Sequence, residues 1–260
     1  MKRSSGVRTC ALAAGGVLSL ALITGCSDAS STDSSGTTRA ASAVKALSTG
    51  ELKQRILAQG EVDGYKVNAI GEAAPTRSTV KSSDEKCRPL AYVLTGLAPA
   101  DPATEIGRTV REDKKDPTDD ATSLDDMADG KFESALKDSL NLDITSLDLS
   151  SYDGDGAQQA LKAVEDALAN CATGFTGGTA ADKQKVTKVT ATKASGSGDE
   201  SVAFTAVTDM DGDKGPLHVE VVRYGNTVAT YFTMNIGAMM TGKTYTVPTA
   251  VIKAQSAKLK

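Results

Sequence analysis

A series of short strand-like runs in the C-terminal half of the chain restricts the fold more than any other sequence feature. Four runs rich in valine and threonine are separated by clusters of glycine, aspartate and asparagine, and they occupy residues 185–193, 201–208, 217–224 and 227–235. Branched residues favour strands, whereas the intervening residue types favour tight reversals. Gly225-Asn226 is a two-residue hairpin signal. The pattern predicts an antiparallel meander.

Helical patterns dominate the preceding residues. Ser48 and Glu51 form a capping-box pattern. Apolar spacing predicts helices at 51–59, 86–95, 131–140, 157–170 and 248–259, and strands at 65–70, 104–111 and 144–152. An aspartate within 152–156 is predicted to cap the helix that follows, and the charged segment 113–129 is predicted to be an exposed loop. Most predicted helices come early in the chain, the strands come late, and one helix closes it. This order predicts an α+β fold, with an antiparallel sheet backed by helices.

Residues 1–25 have the pattern of an export signal. Three basic residues precede an uncharged run at 11–23, which is shorter than the roughly 20 residues of a transmembrane helix. The run ends in Leu22-Ile23-Thr24-Gly25-Cys26, which resembles the lipobox of bacterial lipoproteins, with Ile23 at the usual leucine position. The alternative is a secretory signal with an incidental cysteine. We expect Cys26 to carry a lipid with palmitate-type acyl chains, anchoring the protein to the extracellular face of the cell membrane.

Composition divides the remaining chain into a tether and a domain. Residues 26–43 are rich in serine, threonine and alanine, and they are predicted to form a disordered tether. Residues 44–260 are long enough for a single domain with one core. Without residues 1–25 the chain holds 26 basic and 33 acidic residues, a net charge of −7. An acidic surface disfavours nucleic acid and anionic lipid as partners.

Two cysteines are left once Cys10 is assigned to the export signal and Cys26 to the lipid. Outside the cytosol Cys87 and Cys171 are expected to form a disulfide that closes a loop of 84 positions. Loop-closure entropy gives such a bridge about 4–5 kcal/mol as an upper value. Two free buried thiols are the alternative. Zinc is disfavoured, because the two cysteines are distant in sequence and the chain has one histidine.

Asp209, Asp211 and Asp213 are the weak candidates for a metal site. They match positions 1, 3 and 5 of an EF-hand loop, and Glu220 matches position 12. Lys214 stands where the loop needs glycine, however, and both flanks alternate like strands. A polar hairpin turn is therefore favoured. No metal and no cofactor are predicted.

His218 is the one histidine in the chain, and it shares a strand face with Glu220. A general base also needs a nucleophile and an orienting partner. The chain shows no Gly-x-Ser-x-Gly elbow, P-loop or dinucleotide fingerprint. We therefore expect a solvated or edge histidine, no catalytic residues and no enzymatic activity.

Four segments in order carry a resemblance: "ELKQRILAQGEVDGYKV", "EKCRPLAYVLTG", "SSYDGDGAQQALKAVEDALANCATGF" and "VAFTAVTDMDGDKGPLHVEVVRYGNTVATYFTMN". This order resembles a family of lipoproteins from high-GC Gram-positive bacteria that is similar to the extracellular sensor domain of the mycobacterial Ser/Thr kinase PknH. The resemblance covers about residues 45–260 and implies a fold similar to Mog1/PsbP. It does not imply signalling, because the chain has no kinase domain and the kinase sensor has additional cysteines.

Two functions are compatible with these features. The first is a ligand-binding or sensor-like lipoprotein, for an unknown small molecule or envelope protein. Such a protein needs a pocket between sheet and helices, with a few convergent polar groups. The second is an interaction or assembly module of the cell envelope without a small-molecule ligand. Such a module needs an exposed apolar patch or an open strand edge.

Overall fold

An antiparallel sheet organises the described part of the chain. The computed structural model describes residues 44–72, 74–114, 139–210 and 213–260. The strands in these ranges are β1 (Tyr65–Ala69), β2 (Lys81–Ser82), β3 (Thr104–Glu112), β4 (Ile144–Ser151), β5 (Phe175–Gly178), β6 (Lys183–Thr192), β7 (Glu200–Met210), β8 (Asp213–Tyr224) and β9 (Thr227–Met234). Within the described residues they form one nine-stranded sheet in the order β1-β3-β4-β9-β8-β7-β6-β5-β2.

The predicted C-terminal meander forms half of this sheet. Strands β6 to β9 pair with their sequence neighbours, and the chain reverses between β8 and β9 at Gly225-Asn226. The earlier strands extend the same sheet, because β9 pairs with β4, and β4 pairs with β3. The predicted antiparallel sheet and the α+β class are therefore confirmed.

Helices cover both faces of the sheet. The described helices are α1 (Thr49–Arg55), α2 (Arg88–Val93), α3 (Gly156–Asn170), α4 (Ile236–Thr241) and α5 (Thr249–Leu259). The capping box of α1 is confirmed, since the Ser48 and Glu51 side chains each accept a hydrogen bond from the other residue's backbone N–H. α1 ends at Arg55 and not at the predicted residue 59, because Ile56 adopts an extended conformation.

Strand β8 shows how the alternation of side chains builds two cores. Leu217, Val219 and Val221 pack with α2 and α3 on one side, which we call the α2/α3 face. Residues at the intervening positions, His218 and Glu220 among them, lie on the opposite side. That side packs against α1 and α5 through Leu52 and Ile252 among others, and we call it the α1/α5 face. The sheet is therefore the middle of three layers.

A disulfide joins the two helices of the α2/α3 face. Cys87 closes a short 3-10 turn (Glu85–Cys87) that runs into α2, and Cys171 follows the last residue of α3. The two sulfurs are bonded, and both residues are buried. The predicted bridge is present.

Several predictions about individual segments need correction. Asp155 occupies the N-cap position of α3, but its side chain makes no capping hydrogen bond. Asp153 instead accepts a hydrogen bond from the backbone N–H of Ala46, so it ties α3 to the start of the described chain. Strands β2 and β5 and helix α4 were not predicted, because they span two, four and six residues and show no clear periodicity.

Other predictions fall outside the described residues. These are the export signal at 1–25 with Cys26, the tether up to residue 43, most of the loop at 113–129 and most of the helix at 131–140. Among the described residues, no helix is long and apolar enough to cross a membrane.

Candidate functional site

A pocket of about 300 Å³ opens on the α1/α5 face of the sheet. Its floor comes from strands β7 and β8. One wall is the loop between β6 and β7. The other wall is the segment that leads into α5 together with Ile252 of the helix. It lies between the sheet and a helix, as the ligand-binding hypothesis requires.

The strand register places the polar groups of this pocket. His218 and Glu220 are two residues apart on β8, so both side chains face the same side of the sheet. In the pairing of β7 with β8, Thr205 lies opposite His218 and Ala203 lies opposite Glu220. Because Ala203 ends at Cβ, it leaves space beside the Glu220 carboxylate.

Glu220 is a buried carboxylate that lines the pocket, with 5% of its surface exposed. Its Oε1 atom accepts a hydrogen bond from the backbone N–H of Ser195 at 3.0 Å and a second one from the Ser195 hydroxyl. Within the described ranges, no lysine or arginine forms an ion pair with Glu220. A buried carboxylate is therefore held by two donors from one loop residue.

His218 forms the other polar wall of the pocket. Its Nδ1 atom lies 3.1 Å from the Thr205 hydroxyl oxygen, and its ring packs edge-on against Tyr245 with 4.6 Å between centroids. Burial lowers the pKa of His218, and the nearby Asp143 carboxylate partly offsets that effect. The expectation of an edge histidine is wrong, because β8 lies between β7 and β9, and the ring is half-buried against Tyr245.

His218 and Ser195 of the pocket are not arranged as a base and a nucleophile, because each is hydrogen-bonded to another residue. The Ser195 hydroxyl is bonded to Glu220, and the histidine nitrogen is bonded to Thr205. General-base activation requires the nucleophile to lie within hydrogen-bond reach of the base. The observed arrangement can hold a ligand by hydrogen bonds and by charge.

Two of the three candidate aspartates, Asp209 and Asp213, lie elsewhere, at the ends of β7 and β8. Met210 pairs with Asp213, so β7 and β8 form a hairpin connected at 211–212, as predicted. Asp209 forms an ion pair with Lys185 at 3.1 Å. Asp211 lies outside the described residues, so its role in binding a metal stays a prediction.

Glu220, the fourth member of the EF-hand pattern, is not part of the hairpin connection. It pairs in register with Ala203, seven positions along β8 from the end of the hairpin at Asp213. Its carboxylate is bonded to Ser195 in the pocket. The match at position 12 is thus a coincidence of spacing on a strand.

Sequence reasoning singled out His218 and Glu220 as neighbours on one face but missed Ser195, Thr205 and Tyr245. These three lie in separate segments, and contacts between strands, loop and α5 bring them together. The strand alternation gave a signal for Thr205, since it placed this residue on the face of β7 opposite to Phe204 and Ala206. Ser195 stands in a serine- and glycine-rich loop that carries no signal beyond its turn residues.

A larger groove of about 650 Å³ lies at the edge of the sheet where β2 meets β5. Its charged lining residues, Lys81 and Lys183, are exposed. Buried charge facing a cavity is a stronger indication of a binding site than exposed lysines at a rim. The pocket at Glu220 is therefore the better candidate.

Comparisons with known proteins find similarity in structure and not in sequence. No protein-family model matches the chain, and no curated protein sequence matches it. The crystal structure of the extracellular domain of PknH from Mycobacterium tuberculosis matches at 11% sequence identity with a TM-score of 0.46, covering 83% of this chain and 95% of that chain. At this identity and TM-score, the similarity supports no conclusion about function or location.

Proposed function

We propose that this chain is a membrane-anchored extracytoplasmic lipoprotein whose domain binds a small ligand, with a sensor-like role. One observation carries the proposal: a buried carboxylate, Glu220, faces a pocket of about 300 Å³ between the sheet and α5. Small-molecule sites combine a concave apolar wall with a few convergent polar groups. Ile252 and Val247 supply apolar walls, and His218 supplies a second polar group.

The cellular location is part of the same proposal. The lipobox-like segment ending at Cys26 supports a lipid anchor on the extracellular face of the cell membrane. The disulfide between Cys87 and Cys171 supports an oxidising compartment. We also propose that residues 44–260 form a single domain with a fold similar to Mog1/PsbP. The proposal further holds that the protein has no enzymatic activity.

A pocket-blocking variant tests ligand binding. Thr246 is an exposed residue at the rim of the pocket, so Thr246→Trp should obstruct the opening without disturbing the core. The matched control is Thr244→Trp, an exposed substitution outside the pocket lining. The full chain is purified from its own membrane, and native mass spectrometry measures any small molecule that remains bound. We expect a bound mass in the wild type and in Thr244→Trp, and its loss in Thr246→Trp. Equal occupancy in all three would contradict the proposal.

An interaction module without a ligand is the second candidate, and α4 favours it. Ile236 and Met240 are 44% and 65% exposed, and they are one helical turn apart. Exposed apolar side chains on one helix face are typical of contact surfaces. Crosslinking in intact cells should capture an envelope protein, and the double substitution of Ile236 and Met240 to lysine should abolish that capture. Capture unaffected by the substitutions would exclude this surface.

A further inference from the structure

We infer that the pocket takes a small organic cation, whose ammonium or guanidinium group replaces Ser195 as the partner of Glu220. This inference rests on the proposed ligand-binding function and names the chemical class of the ligand. It follows from the burial of one carboxylate, the neutral character of its present partner, and the charges around the pocket.

The first step concerns the unmet charge of Glu220. A buried carboxylate is strongly disfavoured unless it is paired and hydrogen-bonded. In the described part of the chain Glu220 receives two hydrogen bonds from Ser195 and no ion pair. The donors of Ser195 are uncharged and leave the negative charge of the carboxylate uncompensated, whereas an ammonium or guanidinium group both donates hydrogen bonds and compensates that charge. A cation in the pocket would therefore bind more strongly to this carboxylate than the serine does.

The second step concerns the neighbouring charges. Burial lowers the pKa of His218, so its ring is neutral at neutral pH and does not repel a cation. Arg223 is already paired with Asp199 and Glu200 and is not a competitor for Glu220. Lys193 lies at the rim as an exposed residue, where solvent screens its charge. The buried negative charge of Glu220 thus sets the preference of the inner pocket.

The third step concerns the loop that carries Ser195. Gly196 and Gly198 within this loop both have positive φ, at 73° and 70°. Gly198 packs so closely against the Arg223 carbonyl that a Cβ would clash, so the base of the loop is fixed there. Ser195 lies three residues before this fixed point. The hydrogen bonds between Ser195 and Glu220 are the contacts that a ligand would replace. Ligand binding therefore moves the Ser195 end of the loop.

The volume of the pocket limits the size of the cation. About 300 Å³ is at the lower end of the range for ligand sites. Hydroxyl groups of Thr205 and Thr246 also line the pocket. A compact amine that carries hydroxyl or amide groups fits these properties better than a long polyamine or an anion.

Matched probes test the inference on the full chain in detergent. Ethanolamine is compared with ethylene glycol, and glucosamine with glucose, by isothermal titration calorimetry. Each amine should bind at least about tenfold more tightly than its neutral partner, because only the amine brings a positive charge to the buried carboxylate. Glu220→Gln should remove this difference. Glu165→Gln, which removes an exposed carboxylate on α3, should retain it.

The variant Ser195→Ala tests whether the ligand displaces Ser195 from Glu220 or instead binds to the Ser195 hydroxyl. If the ligand replaces Ser195, removal of the hydroxyl should preserve or increase amine affinity, whereas a loss of affinity would overturn the displacement. If the neutral analogues bind as tightly as the amines, both in the wild type and in Glu220→Gln, the inference that the ligand is a cation is overturned. The proposal that the pocket binds a ligand would then still stand. If no probe binds and Thr246→Trp also leaves the bound mass unchanged, the proposed function itself fails.

Discussion

Asp148 is buried on the α2/α3 face of strand β4, with 3% of its surface exposed. Its Oδ1 atom has no hydrogen-bond partner within the described part of the chain. Burial raises the pKa of this carboxyl well above its usual value, and Glu105 adds to the effect, whereas Arg77 and Ser150 oppose it. The folded protein therefore holds a proton on Asp148 at pH values where a solvated aspartate is ionised.

This raised pKa predicts a pH dependence of stability. Between the unfolded and folded pKa values the folded state binds more protons, so the free energy of unfolding falls as pH rises. The stabilising contribution is complete below the unfolded value and is lost as pH rises through the folded value. Asp148→Asn should remove this slope, which is at most about 1.4 kcal/mol per pH unit. Urea unfolding from pH 3 upward measures it.

Asp155→Asn is the matched control for this prediction. Asp155 is exposed at the start of α3, and its side chain makes no capping hydrogen bond. Its substitution should leave the slope of the wild type unchanged. An equal slope in Asp148→Asn and in the wild type would show that Asp148 does not titrate differently in the two states.

The burial of Asp148 could not be predicted from the sequence. Alternation around Leu147 and Leu149 indicated a half-buried strand with a polar outer face. The structure buries both faces of most of β4, because the strand pairs with β3 and β9 and the α2/α3 layer covers the second face. Local periodicity shows which side chains share a face, but only tertiary contacts determine whether that face meets water.

At the scale of elements, Gln255 links the first and last helices of the described chain. Its side chain is fully buried. Its Oε1 atom accepts a hydrogen bond from the backbone N–H of Leu57, and its Nε2 atom donates one to the carbonyl of Arg55. These backbone groups belong to the end of α1, where helix geometry leaves carbonyls without partners. A buried glutamine of α5 thus completes the C-terminus of α1.

Gln255→Leu should lower the free energy of unfolding by roughly 2 kcal/mol, because it removes the partner of the buried Leu57 N–H and that of the part-buried Arg55 carbonyl. Chemical denaturation monitored by circular dichroism measures the loss. Lys253→Leu is the control on the same helix, since Lys253 is exposed, and it should change stability by less than about 0.5 kcal/mol. Equal stability of the two variants would mean that Gln255 is replaceable.

Elements were predictable where the determining contacts are local. The hairpin at Gly225-Asn226 and the capping box at Ser48 each depend on residues close in sequence, and both are present. The pairing of β4 with β9 joins residues more than 70 positions apart, and no local pattern specifies it. The pocket has the same origin, because Ser195 meets Glu220 only after β6, β7 and β8 have paired.

At the scale of the whole molecule, the disulfide between Cys87 and Cys171 closes a long loop of the chain. It spans 84 positions and includes α2, β3, β4 and all of α3. Reduction should lower the free energy of unfolding by up to about 4–5 kcal/mol, because the unfolded chain regains the entropy of the open loop. Denaturation with and without a thiol reductant measures the difference. Cys87→Ala with Cys171→Ala should reproduce the reduced value, and stability that is independent of the bridge would contradict the expectation.

The location of the molecule depends on one thiol outside the described residues. If Cys26 carries two acyl chains, the protein should fractionate with membranes, because two chains hold a protein far more firmly than one. Cys26→Ala should move it to the soluble extracytoplasmic fraction. Cys10→Ala should leave it in the membrane, because the export signal that contains Cys10 is removed. Mass spectrometry of the native N-terminus gives an independent measurement. An unmodified Cys26 still preceded by residues 1–25 would remove the lipid anchor, and with it the main support for an extracytoplasmic location.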